Sequence, residues 1–304
     1  MESILITGGA GFIGSHLADA LCSQGHPISI LDNLSSGKKE NLSDKAQLVV
    51  GDILNPPESL PEAETVFHLA ADPDVRSSAQ NPLKSFENNA IGTYHMLEWC
   101  RKVDARHFVL ASSSTVYGET SVQPTPEYCP TEPISNYGAS KLACEAYVSS
   151  FSRTYGIKAT ILRYANIFGE RSTHGVIYDF FMKLKRNPKR LEILGNGLQE
   201  KSYLYIRDAL DATMAAWKKQ PGQFGIFNIG SSSKVNVNEI ADIICLELGV
   251  SPFLSYTGGE RGWDGDVKSM LLDTTSIRNL GWEEKTSFEE GVRNYVSHLS
   301  SHSS

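Results

Sequence analysis

Two patterns of apolar positions alternate along this chain. Short apolar runs that end in glycine, acid or small residues are separated by longer stretches with apolar residues every three or four positions. The first pattern predicts strands buried on both faces of a parallel sheet, and the second predicts amphipathic helices. Ile4-Leu5-Ile6-Thr7 is the first run, and a helical pattern over 15–23 follows it, closed by Gly25-His26. Segments 27–32, 47–50, 65–69, 107–110 and 159–164 read as further strands. A long helix is expected over 83–102, and another around Tyr137. Strand–helix alternation across 1–165 predicts a doubly wound parallel α/β sheet with right-handed crossovers.

Beyond Gly169 the pattern changes. A polar loop over 171–175 leads into a helical pattern over 176–186, which Asn187-Pro188 stops. Segments 201–206 and 226–229 look extended, and helices are expected over 238–248 and 288–299. Residues 1–169 are therefore expected to form a dinucleotide-binding domain, with a segment near 203–230 returning to its sheet. Residues 170–304 should mainly form a smaller α/β lobe that binds substrate. The polar tail 300–304 is expected to fray.

Composition narrows the function more than the fold. The chain has 304 residues, enough for a large core, with 40% hydrophobic and 21% charged residues. A formal net charge of -7 argues against nucleic acid or an anionic membrane as the main partner. Five scattered cysteines without a C-x-x-C pair imply a reducing compartment, with neither zinc nor a disulfide framework expected. Met1-Glu2-Ser3 runs into a strand without a basic leader, and no apolar run is long enough to cross a bilayer. A soluble, cytoplasmic protein is expected. The basic run Lys183, Lys185, Arg186, Lys189 and Arg190 reads as a solvated helix end.

The chemistry sits at predicted strand ends. Gly8, Gly11 and Gly14 form a G-x-x-G-x-x-G turn between a strand and a helix. Such glycines permit a tight turn, close backbone approach to a pyrophosphate, and close helix-to-strand contact. The helix N-terminus adds free N–H groups for phosphate. Asp32 closes the second strand, where a carboxylate accepts bonds from the adenosine ribose and repels a 2′-phosphate, favouring NAD over NADP. Asp52 can accept from the adenine amino group, and Ala70-Ala71 leave room for a cofactor. Ser112, Ser113, Ser114 and Thr115 could offer hydroxyls to a sugar or simply cap a turn. Tyr137 and Lys141 lie four residues apart, on one face of a helix. A lysine ammonium beside a phenol should lower its pKa toward working pH and make it a general base.

Taken together, Gly8-x-x-Gly11-x-x-Gly14, Ser113 and Tyr137-x-x-x-Lys141 resemble an extended short-chain dehydrogenase/reductase with a Rossmann-like fold. The stretches 32–38, His68-Leu69-Ala70-Ala71, Ser114-Thr115-Val116-Tyr117-Gly118, Arg163-Tyr164-Ala165-Asn166, 174–180, 201–205 and Arg261-Gly262-Trp263-x-Gly265-Asp266 narrow the resemblance to UDP-glucose (UDP-galactose) 4-epimerases of compact prokaryotic or archaeal type.

That resemblance implies NAD held by Gly8, Gly11, Phe12, Ile13, Gly14, Asp32, Asn33, Ser35, Ser36, Gly37, Asp52, Ile53, Leu69, Ala70, Ala71, Asn88 and Ala165, with Tyr137 and Lys141. It implies Tyr137 as the catalytic base, Lys141 as its tuner and Ser113 as the hydroxyl on the sugar 4-oxygen. A UDP-sugar would be held by Ser113, Ser114, Asn166, Gly175, Val176, Glu192, Leu194, Lys201, Tyr203 and Arg261. A homodimer through the 83–102 and Tyr137 helices is implied as well. Ser114 and Thr115 stand where related 4,6-dehydratases carry an Asp-Glu pair, which disfavours water loss. Lys201 replaces a more usual arginine, and Arg261 is spaced differently from Gly265-Asp266. A nucleotide-sugar decarboxylase or reductase of the same fold, or a non-enzymatic NAD(H)-binding module, remain as alternatives.

Overall fold

A computed structural model describes residues 1–263 and 265–302. Asp264, Ser303 and Ser304, within the expected Arg261–Asp266 stretch and the expected frayed tail, lie outside the described residues.

The elements in order are β1 (Ile4–Thr7), α1 (Phe12–Ser23), β2 (Ile28–Asp32), β3 (Gln47–Val50), β4 (Thr65–His68), α2 (Pro82–Ser85), α3 (Gly92–Lys102), β5 (His107–Ser113), α4 (Asn136–Tyr155), β6 (Lys158–Tyr164) and β7 (Asn166–Phe168). There follow α5 (Val176–Arg186), β8 (Arg190–Ile193), β9 (Glu200–Lys201), β10 (Tyr203–Tyr205), α6 (Ile206–Lys219), β11 (Phe224–Ile229), β12 (Val235–Asn236), α7 (Val237–Leu248), β13 (Phe253–Tyr256), β14 (Ser269–Met270), α8 (Thr275–Arg278) and α9 (Phe288–Ser301).

Seven strands form one sheet in the order β11-β6-β5-β4-β1-β2-β3. Every pairing in it is parallel. This is the doubly wound α/β sheet that the alternating pattern predicts, with strand order reversing beside β1. One face carries Leu17, Ala18 and Leu21 of α1 with Ala209, Ala212 and Ala216 of α6. The other carries Met96, Leu97 and Cys100 of α3 with Cys144, Val148 and Phe151 of α4. A separate apolar cluster unites α5, α7 and α9 through Phe180, Phe181, Ile240, Ile244, Val292 and Tyr295. It is laced by small strand pairs: β10 with β7, β13 with β8, and β9 with both β12 and β14.

Several boundaries differ from the sequence expectation. The helix over 83–102 is not one α-helix; a π-helical segment, Phe86–Ile91, separates α2 from α3. Strand β5 runs on to Ser113 because its last residues continue the ladder with β6, as far as Ser113 beside Tyr164. α6 has no counterpart in the expected elements, although its alanines pack on the sheet. α9 continues through Ser300 and Ser301, two residues that were expected in the frayed tail.

Candidate active site

The glycine turn comes first. Gly8 has φ +69°, a conformation glycine adopts without steric cost, and a Cβ there would lie 2.7 Å from the Ala70 backbone nitrogen. A Cβ at Gly14 would lie 2.3 Å from the Gly8 carbonyl oxygen. Gly14 thus lets α1 pack against the turn, and Gly8 lets the Leu69–Ala70 backbone lie beside it. No side chain caps α1 at Gly11, and its first turn holds no acid. Its leading N–H groups stay available to an anion.

Asp32 is buried at the end of β2, where its Oδ2 accepts the Ala10 N–H (2.9 Å) and its Oδ1 accepts the Leu34 N–H (2.8 Å). Each oxygen keeps a second lone pair toward the turn. Asp52 accepts from the Leu54 N–H and the Asn33 side-chain amide, both at 2.9 Å, tying the loops after β2 and β3 together. Ser35 and Ser36 are exposed beside them, and Gly37 packs against Ala10. Ile53 is buried against Gly92 in the core, so only its backbone faces this region. Ala165 donates its N–H to Ile229 and sits beside Gly230.

Helix α4 then aligns with β5 residue by residue. Ser135 caps it by accepting the Gly138 N–H at 3.0 Å, and the Ser78 hydroxyl accepts the Tyr137 N–H at 3.2 Å. Gly138 is needed because a Cβ there would come within 2.7 Å of the Thr115 carbonyl oxygen. The Tyr137 phenol lies beside Ser113, whose hydroxyl oxygen receives the Thr115 N–H (3.2 Å) and hydroxyl (3.0 Å). One turn on, the Lys141 ammonium donates to the Ala111 carbonyl at 3.0 Å. One turn further, Glu145 accepts from the Ser112 hydroxyl and is paired with Arg163 Nη2 at 2.7 Å. Residues 137, 141 and 145 thus read successively against 113, 111 and 112.

Burial pushes the Tyr137 phenol up to about 12; the Ser113 bond opposes this, while Cys144 and Asp72 add to it. Lys141 is not among the groups that shift the phenol in the protein alone. Its ammonium lies 6.0 Å from the ring centroid, bonded to a backbone carbonyl, and burial lowers its own pKa. Desolvation is the largest effect on both groups, which are buried in the same helix–sheet seam. His68, expected to be packed rather than catalytic, lies between the Thr7 (2.8 Å) and Thr93 (3.0 Å) hydroxyls. Burial lowers its pKa to about 3.

The C-terminal residues are placed less uniformly. Gly175 precedes α5 with φ +93° and open space around it, and Val176 starts that helix without a side-chain cap. Asn166 donates its side-chain amide to the Ser202 carbonyl at 3.0 Å. Lys201 is ion-paired with Asp266, and Arg261 reaches Glu119 at 2.8 Å, so both expected phosphate-binding cations already face carboxylates. Tyr203 stacks at a tilt on Phe288, with ring centroids 5.6 Å apart. Glu192 is exposed on β8, whose alternate residues Leu191 and Ile193 enter the core; Leu194 follows, half-buried. Ser114 is buried in the turn after β5. Asn88 donates to the Lys84 carbonyl (2.9 Å) and stands apart, while its neighbour Asn89 is buried and links Asp72 to Ser140 of α4.

Sequence reasoning missed Asn89, Ser78, Glu145 and Arg163. Extending the Tyr137–Lys141 face by one more turn would have reached Glu145. Arg163 stands in a stretch that carries the resemblance, but its pairing with Glu145, like the contacts of Asn89 and Ser78, joins residues distant in sequence.

A doubly wound sheet with a glycine turn after its first strand, and a serine, tyrosine and lysine meeting at the end of β5, defines an enzyme of the short-chain dehydrogenase/reductase class. The chain belongs to the NAD dependent epimerase/dehydratase family, whose sequence model matches residues 4–230. It is similar to a crystal structure of a UDP-galactose 4-epimerase, at 43% identity and TM-score 0.90 over 98% of this chain and 99% of that one. The UDP-glucose 4-epimerase of Thermotoga maritima, solved with UDP-glucose, is 36% identical with TM-score 0.92, over 99% of this chain and 100% of that one. The UDP-glucose 4-epimerase of Mycolicibacterium smegmatis is 32% identical over 96% of both chains.

NAD, the cofactor of the family, fits the residues present. The turn at Gly8–Gly14 is a cradle that any Cβ at Gly14 would fill, and Asp32 sits where a ribose hydroxyl could donate. Gly14→Ala is expected to weaken NAD retention by about tenfold or more, because α1 must move off the turn. NAD released from denatured, purified protein measures this, and wild-type NAD content in the variant would contradict it.

Proposed function

We propose that this enzyme is a nucleotide-sugar 4-epimerase that interconverts UDP-glucose and UDP-galactose, or their N-acetylated counterparts. The observation that carries the reading is the buried Tyr137 phenol on α4, beside Ser113 at the end of β5 and one helical turn from Lys141. A phenol beside a serine hydroxyl can bind a single sugar hydroxyl and exchange one proton with it.

Bound NAD supplies a hydride acceptor and a positively charged ring when oxidised. Gly8, Gly11, Phe12, Ile13 and Gly14 would hold its pyrophosphate, Asp32 its adenosine ribose, and Asn33, Ser35, Ser36, Gly37 and Asp52 its adenine end. Ala70 and Ala71 would leave room for the cofactor, and Lys141 would hold the second ribose. Tyr137 takes the proton from the sugar 4-hydroxyl and later returns it. Ser113 donates to the 4-oxygen throughout. The chain needs only one acid/base, because both epimers present their 4-oxygen to the same phenol once the sugar turns about its link to the diphosphate.

We assign residues 170–304 mainly to holding that nucleotide diphosphate, with the N-terminus of α5 at Gly175 and Val176, Asn166 and Lys201 nearest to it. The uncapped start of α5 suits a diphosphate. Incubation with UDP-galactose, and separately with UDP-N-acetylgalactosamine, should give the 4-epimer with unchanged mass. Loss of water from either sugar, loss of carbon dioxide from UDP-glucuronic acid offered in parallel, or no product from NAD-loaded protein, would overturn the reading.

No helix among the described residues is long and apolar enough to cross a membrane, and the expected cytoplasmic location stays part of the proposal. A homodimer is also part of it. Leu83, Phe86, Tyr94, Tyr147 and Tyr155 are exposed along α2–α3 and α4, with Tyr94 and Tyr147 in ring contact at 5.6 Å. Apolar groups so placed favour a second copy packing helix against helix. Sedimentation should give twice the 33.4 kDa chain mass, and Phe86→Lys should return it to a monomer. A wild-type monomer at micromolar concentration would refute the dimer.

A further inference from the structure

The indole nitrogen of Trp263 is buried and has no hydrogen-bond partner among the described residues. Indole N–H is a donor and nothing else, and buried tryptophans normally find an acceptor. Its surroundings indicate what kind of acceptor is missing. The ring lies 5.2 Å from the Lys201 ammonium, which is ion-paired with the buried Asp266 carboxylate. Asp266 also accepts the Gly262 N–H at 3.2 Å, which brings residues 262 and 266 together at that carboxylate.

Two more observations place the residues around Trp263. A Cβ at Gly265 would lie 3.5 Å from the Ile134 carbonyl oxygen and 3.7 Å from Ser135 Cβ, so the loop passes over the cap of α4, two residues before Tyr137. Arg261 is committed at both ends of its guanidinium, with Nη1 on the Asp266 carbonyl and Nη2 on Glu119, each at 2.8 Å. It fastens the loop to the segment after β5. The expected phosphate-binding arginine is thus occupied, while a neighbouring donor is left unmatched.

We infer that Trp263 is a substrate-binding residue whose Nε1–H donates to a phosphate oxygen of the nucleotide-sugar diphosphate. The inference rests on the nucleotide-sugar reading above. A phosphate oxygen fits because it only accepts, carries negative charge, and would sit beside the Lys201 cation that the indole face already holds. A ribose hydroxyl fits less well, since it is neutral and gains less from a site beside the Lys201 cation.

The test uses NAD-loaded protein with UDP and uridine as probes in calorimetric titration. Trp263→Phe keeps an aromatic face for Lys201 and removes only the donor. It should weaken UDP binding by about 10- to 100-fold, the range expected for a hydrogen bond to a charged group, and leave uridine binding unchanged. KM for the sugar nucleotide should rise in parallel with little change in kcat. Trp263→His, which restores a donor, should recover part of the affinity. Unchanged UDP binding in Trp263→Phe at wild-type thermal stability would overturn the inference, as would equal losses for UDP and uridine. Failure of the wild-type protein to bind UDP at all would overturn the nucleotide-sugar reading itself.

Discussion

Replacing Tyr137 with phenylalanine is expected to lower kcat by about 10²–10⁴-fold while leaving the fold and NAD content intact. The phenyl ring fills the same buried space, and the backbone contacts that seat the residue, from its N–H to Ser78 and from Ser140 to its carbonyl, do not involve the hydroxyl. Ser113 keeps both bonds from Thr115, so no hydroxyl is stranded by the change. What disappears is the group that exchanges a proton with the sugar. Because burial holds the phenol near 12 in the protein alone, deprotonation at neutral pH has to be drawn out by the assembled complex. Rates for the wild type should therefore rise with pH until the phenol ionises in that complex, and the variant should lose this dependence. Initial rates with UDP-galactose across pH 6–10 check both points. Turnover that survives intact in Tyr137→Phe would remove Tyr137 from the mechanism.

Features encoded by neighbours in sequence could be read without the structure. The turn at Gly8, Gly11 and Gly14 and the acid at Asp32 belong to one strand–helix–strand unit. Tyr137 and Lys141 share a helix face at a spacing fixed by helix geometry. Features that depend on distant partners could not be read. Lys201 and Arg261 look like free cations in sequence, yet Asp266 and Glu119 reach them across 65 and 142 residues. α6 went unrecognised, although Ala209, Ala212 and Ala216 mark its sheet-facing stripe; its polar residues hide a pattern that only the sheet makes meaningful. The π-helical segment Phe86–Ile91 likewise follows from tertiary demand: it sets Asn89 to bond both Asp72 and Ser140, which joins the loop after β4 to the catalytic helix. π-helical turns recur at functional sites for this kind of reason.

The largest stability effect is expected at Glu145. Its carboxylate is buried, bonded to the Ser112 hydroxyl, and held by Arg163 through Nε at 3.0 Å and Nη2 at 2.7 Å. Arg163 continues to the Tyr117 hydroxyl (2.8 Å) and the Glu127 carbonyl (2.9 Å), and Tyr117 donates to Asn228 of β11 (2.7 Å). Burial works against the Arg163 charge, and the Glu145 carboxylate more than offsets it, raising its pKa. Glu145→Gln removes that compensation and leaves a guanidinium buried without a counter-charge. The expected cost is about 3–5 kcal/mol, or a fall in Tm of roughly 6–10 °C for a chain of this size. The same pair carries a functional consequence. Glu145, Lys141 and Tyr137 hold α4 against Ser112, Ala111 and Ser113, so loosening the first should let the other two drift, and kcat should fall more than KM rises. A double variant, Glu145→Leu with Arg163→Met, separates the two effects, because replacing both charges by apolar groups is often neutral for stability. Its Tm should recover toward wild type while kcat stays depressed, since the Ser112 bond that sets the register of α4 is still missing. Full recovery of kcat together with Tm would show that the pair serves stability alone, and wild-type stability in Glu145→Gln would mean that the buried charge finds another partner.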